Sequence, residues 1–72
     1  MIGVYIKVNK NNEIYAVHSD IFITNFEGWI KIDEGAGDKY ALAQGNYFDK
    51  SLIDDDGYYN YRYENGQVIE RV

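Results

Sequence analysis

The side chains that could do chemistry are the carboxylates, one histidine and a set of tyrosines, and their spacing decides which chemistry is open to them. Asp54, Asp55 and Asp56 precede Gly57, and carboxylates beside a turn-making glycine are what a calcium loop supplies. A loop of the EF-hand type also needs carboxylates at alternate positions and a bidentate Glu several residues later. Here only Asp54 and Asp56 alternate before the tyrosines begin, so this stretch reads as a solvated turn. Asp33, Glu34 and Asp38 surround Gly35 and Gly37. A phosphate cradle would combine its glycines with a Lys and a Ser or Thr at a helix start. Lys39 is present, but three carboxylates would repel a phosphate, and a turn with a helix cap fits better. His18 is the only histidine, the chain has no cysteine, and no spacing sets His18 beside Ser and Asp as a nucleophile system requires. Two carboxylates across a cleft can hydrolyse glycosides, yet twelve acids in 72 residues make such pairs unavoidable, and so short a chain has little room for a cleft. The expectation is a protein without catalytic, cofactor or metal site.

The tyrosines carry more information. Eight Tyr, three Phe and one Trp occur in 72 residues, and each aromatic ring buries roughly 150–250 Å². That is the main source of stability for a single small domain spanning 1–72, since there is no disulfide or thiolate zinc site to add to it. A core of this size cannot hide them all, so some of Tyr5, Trp29, Tyr58, Tyr59, Tyr61 and Tyr63 must lie near the surface. Tyr and Trp are favoured at interfaces, which makes Trp29, Tyr58, Tyr59, Tyr61 and Tyr63 the candidate interaction residues. Core and cross-strand packing is the competing use of the same rings.

A net charge of −5 argues against direct grip on nucleic-acid phosphates. The first residues lack a basic leader followed by a long apolar core and a cleavage site, so no secretion signal is expected. No run approaches the ~18 apolar residues of a membrane span. A protein of the cytoplasm is the expectation.

These residues must be positioned by a mostly β scaffold. Asn65-Gly66 separates two strand-like runs and is the commonest two-residue hairpin turn, because both central positions need φ > 0. It pairs Glu64 with Gln67 and Tyr63 with Val68, placing Tyr59, Tyr61, Tyr63, Val68, Glu70 and Val72 on one face and Ile69 on the other. In residues 2–9 the even positions Ile2, Val4, Ile6 and Val8 are apolar, the pattern of a half-buried strand. After Lys10-Asn11-Asn12 a second strand follows. An even loop puts Tyr15 and Val17 on the Val4 and Ile6 face and turns Ile14, Ala16 and His18 away, whereas a three-residue loop reverses this. The connection 19–27 should drop Phe22 into the core. Residues 29–33 form a third strand, with Ile30 and Ile32 facing one way and Trp29, Lys31 and Asp33 the other. Asp38 suits an N-cap, Lys39–Gln44 a short helix and Gly45 its left-handed stop; Tyr40, Leu42 or Ala43 must pin so short a helix by packing. Asn46–Ile53 suggests a fourth, irregular strand. The fold class is therefore small α+β, mostly β: an antiparallel sheet of two hairpins plus one or two central strands, with one short helix.

The run from Gly28 to Tyr40, GWIKIDEGAGDKY, followed by Ala43-Gln44-Gly45-Asn46-Tyr47-Phe48, resembles a segment of small proteins encoded among the tail genes of phages and prophages of Gram-positive bacteria. Those proteins also close with a Tyr-rich strand and a Gly turn, as Tyr58–Gly66 does. The resemblance spans roughly Glu13 to Arg71 and is most specific in the block 28–48. It implies a phage origin and a tail or baseplate association, and it implies no catalytic residue. The expectation is a non-enzymatic structural or accessory tail module that contacts other tail proteins, or itself as a homo-oligomer, in the host cytoplasm or in the virion tail. Two alternatives stand beside it. One is an acidic DNA mimic that blocks a host factor, using Asp33, Glu34, Asp38, Asp54, Asp55 and Asp56. The other is a carbohydrate-binding module that uses Trp29 and neighbouring tyrosines on a host surface.

Overall fold

The structure is a computed structural model that describes residues 1–71. Three strands, β1 (Ile2–Val8), β2 (Ile14–Ser19) and β3 (Ile30–Gly35), form an antiparallel sheet in the order β2-β1-β3. Two one-turn helices follow, α1 (Asp38–Ala41) and α2 (Ala43–Asn46). A separate two-stranded sheet, β4 (Tyr61–Glu64) with β5 (Gln67–Glu70), closes the chain. The mostly β, antiparallel class expected from sequence is what forms, but the two hairpins occupy different sheets and the helix is split in two.

Val4 and Ile6 point to the inner face and are fully buried, as their even spacing predicts. Across the hairpin the register breaks. Lys7 pairs with Ala16 but Val8 pairs with Ile14, leaving Tyr15 as an extra residue, a β-bulge. The loop itself is the odd one: Asn9 N–H donates to the Glu13 carbonyl at 3.0 Å across Lys10–Asn12, with Asn12 at φ 64°. That loop turns Ile14 inward, and the bulge then restores the even parity, so Val17 is also inward. The expectation of Tyr15 inside and Ile14 outside is corrected: Ile14 is fully buried and Tyr15 is 47% exposed. His18 and Ala16 face outward as expected.

A second bulge lies between β1 and β3, where Val4 pairs with Asp33 and Tyr5 with Lys31, leaving Ile32 extra. Ile30 and Ile32 both pack against the core. Asp33, expected on the outer face with Lys31, is instead carried to the Val4 side, where the Tyr47 hydroxyl donates to its Oδ2 at 2.8 Å. Burial and this hydrogen bond hold the Tyr47 phenol protonated well above its usual range.

The connection after β2 differs from expectation too. Ile23 is the buried residue and Phe22 is 56% exposed. Gly37, at φ 101°, occupies the N-cap position, so Asp38 is the first helical residue and makes no cap hydrogen bond through its side chain. The helix breaks at Leu42 (φ −109°, ψ 45°), and Gly45 lies inside α2 rather than stopping it. Packing explains the break. The kink leaves Leu42 exposed, buries Ala43, and lets the buried Ser19 hydroxyl donate to the Ala41 carbonyl at 3.0 Å, satisfying a helix-end acceptor. Residues 46–53 form no strand. Only Ile53 bridges, to Tyr59, while Tyr47 and Phe48 turn their rings together edge to face at 5.0 Å.

The terminal hairpin has the expected register, Glu64 with Gln67 and Tyr63 with Val68, and both turn residues have positive φ (Asn65 53°, Gly66 79°). Val72, expected on the tyrosine face, lies outside the described residues. Tyr61 and Phe48 rings stack at 4.4 Å, and Tyr61 joins the core of the first sheet. The β4 strand also reaches the β1–β2 loop, where Tyr63 N–H donates to the Asn12 carbonyl at 2.9 Å.

Asp54 organises the turn before it. Its Oδ1 accepts the Asp56 and Tyr58 N–H groups at 3.0 and 2.9 Å, and its Oδ2 accepts Arg71 at 2.6 Å. The Tyr58 amide, aided by the Asp56 amide and the Arg71 guanidinium, holds the Asp54 carboxyl below its usual value against an opposing effect of burial. A carboxylate with a depressed folded pKa contributes stability that is present above its unfolded pKa and lost as pH falls through the folded one. Asp54→Asn retains an acceptor oxygen but not the charge. The melting temperature of Asp54→Asn should therefore lie below wild type at neutral pH, and the gap should close as pH drops through the acidic range. A gap independent of pH would contradict this account.

Candidate functional site

The outer face of the three-stranded sheet collects aromatic side chains from two directions. The pleat places Tyr5, Lys7 and His18 outward, and the register sets Tyr5 directly opposite His18 on one side and Lys31 on the other. The connection 20–29 then folds back over this row. Asp20 anchors its start: the Gly3 N–H donates to Asp20 Oδ2 at 3.0 Å, and the Asp20 N–H donates to the Gly3 carbonyl at 2.9 Å. A turn that includes Gly28 at φ 81° ends it, with the Trp29 N–H donating to the Phe26 carbonyl at 3.0 Å.

The result is a tier of rings over a rigid sheet. Phe26 lies 5.0 Å from Tyr5, Phe22 lies 5.3 Å from His18, and Trp29 meets His18 edge-on at 6.4 Å. Lys7 Nζ sits 4.9 Å over the Trp29 ring, a cation–π contact that neutral aromatic faces favour. Ile21, Phe22 and Phe26 are all exposed. A cleft of about 470 Å³ lined by His18, Phe22, Leu42 and Gln44 runs from this tier toward α2. The His18 Nδ1 is buried without a hydrogen-bond partner. This surface can recognise an apolar or aromatic ligand face. Among the described residues there is no group of three or more His, Cys, Asp or Glu side chains placed to hold a metal ion.

The five candidate interaction residues do not form one surface. Trp29 belongs to the aromatic tier, half-buried under Lys7. Tyr58 is 61% exposed and lies in the segment between the Asp54 turn and β4, with the Arg71 guanidinium 5.3 Å over its ring. Tyr59 and Tyr63 are half-buried. Tyr61 is core, 4% exposed, its hydroxyl accepting the Lys50 N–H at 3.1 Å. Sequence reading missed Phe22, Phe26 and His18 as members of one surface. The outward parity of Tyr5 and His18 was the available signal, but nothing periodic in residues 20–28 shows that they fold over that row.

Part of the charge is paired. Lys31 meets Glu34 at 3.1 Å, Lys50 meets Glu70 at 2.8 Å and Arg62 meets Glu64 at 3.0 Å. Of the six acids considered for DNA mimicry, Glu34 and Asp54 are ion-paired and Asp33 is hydrogen-bonded to Tyr47. No helix of the described residues is long and apolar enough to cross a membrane. Comparison of the chain with protein-family models, with curated proteins and with solved structures returned no match.

Proposed function

We propose that this chain is a non-enzymatic structural or accessory module of a phage tail or baseplate, and that it docks a protein partner on the aromatic outer face of β1–β3. The observation that carries the docking surface is the exposure of Phe22 and Phe26 over Tyr5 and His18, with Trp29 beside them and Ile21 exposed in the same connection. Large apolar side chains held together in water on a rigid sheet are the mark of a surface that a partner covers. The tail setting rests on the resemblance of residues 28–48. In that setting the protein works in the host cytoplasm during assembly or within the virion tail.

The test is a binding titration of purified tail and baseplate proteins against wild type, Phe22→Ser, Phe26→Ser and Tyr58→Ser. All three substitutions are at exposed positions, and circular dichroism checks that each variant folds. Wild type and Tyr58→Ser should bind alike, while Phe22→Ser and Phe26→Ser each weaken binding by about tenfold or more, the scale of an interface hot spot. Failure of every tail protein to bind, or equal binding by all variants, would overturn the reading. A glycan-array signal lost on Trp29 substitution would replace it with carbohydrate recognition.

A further inference from the structure

We infer that the free edge of β5 is a self-association site, at which two copies of this chain pair antiparallel about a two-fold axis through Ile69. Both free edges of the first sheet are guarded. The β3 edge carries the bulge at Ile32 and the Lys31–Glu34 ion pair. The β2 edge carries the bulge at Tyr15 and is flanked by Gln44, Ser51 and Leu52. Bulges and charges of this kind are how natural edges avoid pairing. The β5 strand has neither bulge, Lys nor Pro, and its one charge, Glu70, is ion-paired with Lys50 at 2.8 Å; all of its residues are exposed, Val68 37% and Ile69 42%. It pairs only with β4 among the described residues.

The hydrogen-bonding parity narrows the register to a few choices. The Arg71 N–H donates to the Asn60 carbonyl at 2.7 Å, whereas the Tyr63 N–H points away from β5, to Asn12. Antiparallel ladders alternate, so Gln67 and Ile69 bond inward to β4, and Val68 and Glu70 present N–H and C=O groups to the open side. Antiparallel pairing with a second β5 must join outward groups to outward groups. Centring on Glu70 would set like charges opposite one another, and centring on Val68 would set the turn residue Gly66 against Glu70. Centring on Ile69 pairs Val68 with Glu70 of the second copy, each exchanging both backbone bonds. It also sets Ile69 against Ile69 and Gln67 against Arg71. No pair sets like charges together, the central one is apolar, and two marginal two-stranded sheets become one of four strands.

Because Ile69 meets its own copy, opposite charges at that one position give a decisive test by sedimentation equilibrium up to about 1 mM, the range suited to a small edge contact. Wild type should show reversible dimerisation. Ile69→Lys and Ile69→Glu, each alone, should weaken it by at least about tenfold, and an equimolar mixture of the two should regain a heterodimer. Ile69 is exposed, so both variants should retain the wild-type circular dichroism spectrum. A wild type that stays monomeric throughout overturns the inference. Variants that dimerise as well as wild type, or a mixture that does not recover, overturn it equally. None of these outcomes depends on the aromatic face of the other sheet.

Discussion

Tyr61→Ala should bring this domain close to unfolding, because Tyr61 is where the second sheet joins the core of the first. The ring is 4% exposed, stacks on Phe48 at 4.4 Å and packs with Val4, Ile6, Ile14, Val17 and Ala43. Truncating a buried aromatic residue costs about 3–5 kcal/mol. At roughly 0.05–0.15 kcal/mol per residue, a domain of this length has about 4–11 kcal/mol in total, so the loss is a large share of it. Tyr61→Phe separates the ring from its hydroxyl. That variant loses only the part-buried hydrogen bond from the Lys50 amide, about 1 kcal/mol. Urea unfolding followed by Trp29 fluorescence and circular dichroism measures both. A Tyr61→Ala loss below about 1 kcal/mol would mean that the hairpin is an appendage and not part of the core.

Gly35→Ala is the second large effect and comes from space rather than from backbone freedom. Gly35 lies on the inner side of β3, and an added Cβ would meet the Tyr40 ring at 2.5 Å. Tyr40 is itself held, half-buried against the core, with Tyr47 edge-on at 6.1 Å and Lys39 Nζ 5.8 Å over its ring. The ring has little room to retreat, and overpacking of this kind costs about 1–3 kcal/mol. The diagnosis is tested by a double-mutant cycle. In a Tyr40→Ala background the added methyl should cost less than about 1 kcal/mol, because the clash is gone. If Gly35→Ala costs the same in both backgrounds, the recess is not what selects glycine there. This contact also explains how a one-turn helix persists: α1 is seated by Tyr40 over Gly35 and by Ser19 on its last carbonyl.

The proposed docking face and the proposed self-pairing edge lie in different sheets, so both can be occupied at once. A dimer through β5 would present two aromatic faces, and a bivalent module binds a repeated partner surface more tightly than either copy alone. Repeated surfaces are what a symmetric assembly offers, which fits the proposed tail setting.

What the sequence determined by itself was local. The Asn65-Gly66 turn and its register follow from the need for positive φ at two adjacent residues, and the inward row Val4 and Ile6 follows from alternation. The Asp54–Gly57 turn follows from an Asp that can accept nearby amides. What only the tertiary structure decided was every choice among locally equivalent options. A three-residue loop sent Ile14 in, a bulge at Tyr15 then returned Val17 to the same face, and another bulge turned Asp33 to meet Tyr47; the parity of a strand changes with one residue, and only the surface packed against it selects the answer. The same holds for Ile23 over Phe22, for the break at Leu42 and for Tyr61 over its neighbouring tyrosines. In each case the local options are close to one another, and contacts with residues distant in the chain decide between them.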